Sequence, residues 1–147
     1  MKTLLQHSLI IILTLLALSA QAEQKKRFGD YEVHYSVVNS TFISPEVAAA
    51  YQITRGKKRA FVNISIRKLL KDGSDTAKRA LVSGKTSDMI HSIPLNFKEI
   101  IEQGAIYYIA EFSFNDKDTR RFDIQIQPDP NIEPYTLTFS QKVYVEL

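Results

Sequence analysis

The chain has 147 residues, 44% of them hydrophobic, with 19 Lys and Arg against 16 Asp and Glu and no Cys. That length suits one domain with a core of its own. The missing thiols exclude a disulfide framework, thiolate zinc sites and cysteine nucleophiles, and the nearly balanced charge offers no footprint for nucleic acid.

The first segment reads as an address. Lys2 precedes an apolar run from Leu9 to Leu18, and Ser19-Ala20-Gln21-Ala22 follows. A positive end, a short apolar stretch and small residues at Ala20 and Ala22 form the three-part pattern of a secretory signal. A spanning helix needs roughly 20 apolar residues, about twice this run. The sequence therefore predicts a signal peptide over residues 1–22, cleaved between Ala22 and Glu23, and a periplasmic chain without a membrane span. Lys25-Lys26-Arg27 then reads as part of a flexible basic arm, residues 23–27, leaving a single domain over residues 28–147.

Period-two alternation dominates that domain. Tyr31, Val33, Tyr35 and Val37 oppose Glu32, His34 and Ser36; Ala60, Val62, Ile64 and Ile66 oppose Phe61, Asn63, Ser65 and Arg67. Between these runs Ser44-Pro45-Glu46 predicts a short helix through about Tyr51, with Ser44 as cap and Pro45 in the first turn. The signal is weaker around Ala80 to Lys85, and Pro94 marks Ile90 to Phe97 as an edge or bent strand. Phe97 to Gln103, ended by Gly104, allows a second helical turn. Ile106 to Phe114 and Phe122 to Ile126, joined by Asn115-Asp116-Lys117-Asp118, read as a β-hairpin. Three prolines between Pro128 and Pro134 exclude a central strand and predict a crossing from one sheet to the other. The last strand puts Tyr135, Leu137, Phe139, Val143, Val145 and Leu147 on one side. The class predicted is mainly β: a single immunoglobulin-like antiparallel sandwich of about seven strands, with one short helix after the first.

The blocks Gly29-Asp30-Tyr31-Glu32-Val33-His34-Tyr35, Asn39-Ser40-Thr41-Phe42-Ile43 and Pro45-Glu46-Val47-Ala48 give the chain a family likeness. With Ala60 to Ser65 and Leu137 to Gln141, it resembles domain-of-unknown-function family 4426, small exported proteins of Gram-negative bacteria. The resemblance implies an exported single domain and carries no activity, ligand or catalytic residue with it.

Chemistry-bearing residues are few. His34, between Glu32 and Ser36 on the polar side of its strand, could anchor a hydrogen-bonded cluster; a hydrolase role would need a nucleophile and an orienting carboxylate. Met89-Ile90-His91 pairs a thioether with an imidazole, but soft copper sites need more such ligands, so no metal is expected. No nucleophile elbow, paired-histidine zinc motif or phosphate loop occurs, and neither a catalytic residue nor a cofactor is assigned. Asn39 and Thr41 are binding candidates, but they read better as turn chemistry between strand and helix, bonding nearby backbone groups. Asn63, mid-strand among apolar neighbours, suits a structural hydrogen bond better than a ligand. Tyr107, Tyr108, Tyr135 and Tyr144 are either core or an amphipathic surface. The functional expectation is a non-enzymatic interaction or accessory module of the envelope with a protein partner, binding through an edge strand or inter-sheet loop. The alternatives are a small-ligand carrier with a pocket between the sheets and a hydrolase using His34.

Overall fold

The computed structural model describes residues 24–146. The signal segment, the Ala22–Glu23 junction and Leu147 lie outside the described residues. Ten strands run in the order β1 Gln24–Phe28, β2 Tyr31–Asn39, β3 Arg59–Leu69, β4 Asp75–Ala77, β5 Leu81–Ser87, β6 Ser92–Leu95, β7 Lys98–Glu102, β8 Ala105–Ser113, β9 Asp118–Gln127 and β10 Tyr135–Val143. A 3-10 turn over Ser40–Phe42 and helix α1, Pro45–Ala50, separate β2 from β3.

Two antiparallel sheets result. One has the order β1-β2-β3-β8-β7, with β4 beside the end of β3; the other is β10-β9-β5-β6. Their inner faces carry the alternating apolar residues of the sequence. Val33, Val62, Ile64, Ile66 and Ala110 from the first sheet and Phe122, Ile124, Ile126 and Leu137 from the second have no exposed surface. The immunoglobulin-like, mainly β sandwich read from the sequence is the fold observed, with more strands because several are short.

Four local readings need correction. The basic arm is strand β1: Gln24 to Phe28 pair with Tyr35 to Tyr31, and Phe28 stacks on Tyr135 with ring centroids 5.1 Å apart. Backbone pairing and one aromatic contact order a segment whose charges alone favour solvent. Phe97 to Gln103 is not helical. Lys98–Glu102 pairs with β8 as β7, and Gln103 and Gly104, both at positive φ, make the tight turn between them.

The supposed hairpin is a crossover. β8 lies between β3 and β7 while β9 lies between β5 and β10, so each has both edges filled in a different sheet. Phe112 and Phe122 therefore meet across the core, edge to face at 5.3 Å. Conversely, the proline-rich segment joins β9 to β10 within one sheet. Pro94 does mark an edge: β6 is the outermost strand beside β5.

Candidate functional site: the mouth between the sheets

β2 and β10 face one another along one side of the sandwich. Tyr31 lies 6.2 Å from Tyr135, and Tyr35 lies 4.5 Å from Phe139, centroid to centroid. Beyond this aromatic row the sheets diverge around a cavity of about 270 Å³, lined by Val37, Asn39, Phe42, Gln141, Val143 and Tyr144 among others. Phe42 and Tyr144 form an aromatic rim, 59% and 52% exposed. Lys142 sits with its Nζ 5.5 Å from the Tyr144 ring centre, bringing a cation to that rim.

The rim is built by residues distant in sequence. Asn39 Nδ2 donates to the Tyr144 carbonyl at 2.8 Å, and Thr41 Oγ1 donates to Glu146 Oε2 at 2.5 Å. Ser40, buried between them, donates to the Gly56 carbonyl at 3.1 Å and accepts from the Gly56 N–H at 2.9 Å. Val145 N–H is held by Asp116 Oδ1 at 2.9 Å. Asn39 and Thr41 thus fasten the C-terminal segment to the 3-10 turn; their side chains do not serve the neighbouring backbone as the turn reading had it. The cavity depends on this fastening, because it sets where Tyr144 stands.

The other two candidates lie elsewhere. His34 and Asn63 are on the outward face of the larger sheet, opposite the core. His34 Nε2 is 2.8 Å from Glu32 Oε1, and Ser65 is its cross-strand partner on β3. Both edges of β2 are paired there, by β1 and β3, so the ladder occupies the local backbone N–H groups that an oxyanion would need. Asn63 Oδ1 is buried, and no protein group donates to it. No site brings all four candidates together.

Sequence reading missed a polar cluster built on a buried arginine. Arg120, 5% exposed, reaches Asp88 Oδ2 at 3.3 Å and Asp118 Oδ2 at 3.4 Å. Asp88 Oδ1 also accepts the N–H groups of Ile90 and His91. Those backbone bonds foremost, then the charges of His91 and Arg120, hold its carboxyl below the ordinary range. The Asp-x-Ile-His spacing was the available signal for this turn. It props up Met89 and Ile90, the two most exposed large hydrophobic residues among those described. Of the flagged tyrosines, Tyr108 is buried, Tyr107 and Tyr135 are half-buried and Tyr144 is exposed. Among the described residues no three His, Asp or Glu side chains gather as a metal site.

The family model described as "Domain of unknown function (DUF4426)" matches residues 25–146. The chain belongs to the DUF4426 family. A family member from Pseudomonas aeruginosa PAO1, known from a crystal structure, is 32% identical with a TM-score of 0.74, covering 87% of this chain and 99% of that one. FetP of uropathogenic Escherichia coli strain F11, expressed in the periplasm of a laboratory strain, shares the fold at 11% identity. Its TM-score is 0.60, over 86% of this chain and 96% of FetP. A copper-bound FetP variant gives 13% identity and 0.57, over 86% and 97%. No curated protein matches the chain. No helix among the described residues is long and apolar enough to cross a membrane.

Proposed function

We propose that the protein is a non-enzymatic interaction module of the bacterial envelope, delivered to the periplasm by the signal segment and binding a protein partner at the mouth between its sheets. One observation carries this reading: a cavity with an exposed aromatic rim opens beside an edge strand. Tyr and Phe at such a rim supply contact area at low entropic cost. The periplasmic setting rests on the signal pattern and gains support from the shared fold of FetP, a protein handled in the periplasm.

A cleavable crosslinker applied to intact cells, followed by capture of the tagged protein, tests the reading. The expected result is an envelope protein whose recovery falls when Phe42 and Tyr144 are both replaced by Ser; recovery that ignores both rim residues would refute it. N-terminal sequencing of the periplasmic protein should begin at Glu23.

The cavity also favours a second reading, a carrier of a small ligand held between Val37, Gln141 and Tyr144. Native mass spectrometry of protein taken from the periplasm should then reveal a copurified mass, and a clean apo mass would remove this reading. Hydrolysis retains only the Glu32–His34 pair on a flat sheet face, and a His34→Ala variant with unchanged activity across a substrate screen would end it. Copper chemistry is not carried over from FetP, since Met89 and His91 sit in an exposed turn and His34 on the other sheet.

A further inference from the structure

The two sheets end differently at their edges. β1 carries Lys25, Lys26 and Arg27 within five residues, and β7 carries Lys98, Glu99 and Glu102. β6 has four residues, one of them Pro94. Charges, shortness and proline are the devices that stop an edge from recruiting another strand. β10 has none of them along most of its length: nine residues, no proline, and one charge, Lys142, near its end.

A surface for a further strand lies next to it. The larger sheet runs one strand past β10, because β2 faces β10 and β1 lies outside β2. Phe28 of β1 closes against Tyr135, but Lys26, on the same face of β1, is exposed. Two observations put Lys26 on that inward face: its cross-strand partner is the core residue Val33, and its Nζ lies 5.1 Å from the Phe28 ring centre.

We propose that the free edge of β10 takes an extended segment of a partner protein as a fifth strand, with a carboxylate-bearing side chain turned toward Lys26 and an apolar one toward Phe28. The inference rests on the interaction-module reading and names its surface and ligand chemistry. Backbone hydrogen bonds to β10 supply affinity, and alternate side chains facing β1 supply selectivity. Lys26 attracts a carboxylate and repels a basic segment. A second copy of this chain does not fit. Its β10 is already roofed by its own Tyr31 and Tyr35, so pairing would drive its β1 and β2 into the first molecule's β1.

The test uses the mature chain and a seven-residue peptide, Thr-Val-Thr-Glu-Thr-Val-Thr, whose non-threonine face reads Val-Glu-Val. NMR titration and amide exchange are followed together. The expected result is saturable binding with slowed exchange confined to β10 among the strands. Lys26→Glu should weaken it about tenfold, and a peptide with Lys in place of Glu should recover binding to that variant. Equal unfolding midpoints for variant and parent keep the comparison clean. Protection at β1, β6 or β7, binding indifferent to the charge swap, or no binding up to about 1 mM would each overturn the proposal. An envelope partner whose recovery depends on Phe42 and Tyr144 but that leaves amide exchange in β10 unchanged would overturn the β10 assignment yet leave the module reading standing; β10 pairing without any capturable envelope partner would do the reverse.

Discussion

At Phe139 two rings compete to define its worth: Phe122, stacked at 4.8 Å, and Tyr35 at 4.5 Å. Phe122 has no exposed surface, whereas Phe139 is half-buried beside the mouth. Truncating a buried Phe costs about 3–5 kcal/mol, and a partly exposed one proportionately less. Phe122→Ala should therefore lower stability by about 3–5 kcal/mol and Phe139→Ala by about 2 kcal/mol, read from denaturant midpoints. Equal costs would mean that the mouth is closed in solution. Thr41 permits a sharper comparison. Thr41→Ser keeps the hydroxyl that donates to Glu146 and should leave stability unchanged. Thr41→Val loses it, and the amide resonances of Tyr144 to Glu146 should broaden or shift. An unaltered spectrum for the Val variant would show that the C-terminal segment stands without this bond. The polar character of Asn39 and Thr41 was legible in the sequence, but their partners, which lie 105 residues away, were not. No local pattern encodes a contact of that span.

Among the elements, legibility followed amphipathicity. β2, β3, β9 and β10 each set an apolar row against a more polar one, and period-two alternation exposed them, whereas β8 shows its inward row beside Tyr107 and Ile109 on the other face. β1 lacked that contrast because its inward face carries Lys26, and β4 has only three residues. β7, Lys-Glu-Ile-Ile-Glu, has adjacent isoleucines that fit a helical turn as well as a strand. Sheet membership was less legible still, since Asn115 to Lys117 suits a hairpin or a crossover equally and only the filled edges of β8 and β9 decide between them. Helix α1 was read correctly: Ser44 Oγ accepts from Val47 N–H at 3.3 Å and Pro45 opens the first turn. For a six-residue helix Ser44→Ala should cost about 0.5–1 kcal/mol, the lower part of the range for caps; thermal melts indistinguishable from wild type would deny Ser44 that role. β5 depends on a close approach. A Cβ at Gly84 would sit 2.5 Å from the Asp123 carbonyl and 2.9 Å from Ile124 Cα, both backbone atoms of β9. Gly84→Ala must push the strands apart, an overpacking cost of about 1–3 kcal/mol, and a neutral result in urea unfolding would contradict the β5–β9 register. That missing side chain is also why β5 gave a weak signal in the sequence.

Over the whole molecule, acid stability follows from carboxylates spent on turns and ion pairs. Asp88 is held below its ordinary range first by the His91 and Ile90 N–H groups, and Asp129 by that of Asn131. Glu99 is held down by Arg79 and then Tyr108, and Asp123 chiefly by Arg121. A depressed carboxyl contributes stability above its unfolded pKa of about 4 and loses it as pH falls through the folded value. The melting temperature should hold steady down to about pH 5 and decline below about pH 4; a flat profile to pH 2 would show these bonds to be idle. The crossover between β8 and β9 has a kinetic consequence as well. One sheet draws on β1 to β4, β7 and β8, the other on β5, β6, β9 and β10, so neither is finished until late in the chain. A ribosome or translocon that delivers the N-terminus first supplies β5 with one neighbour, β6, long before β9 arrives to cover its other side. Such a chain closes its loops over long separations, which slows folding, and the final nine-residue strand seals one flank of the core. It folds after its last strand is free, or it remains a substrate for chaperones and proteases.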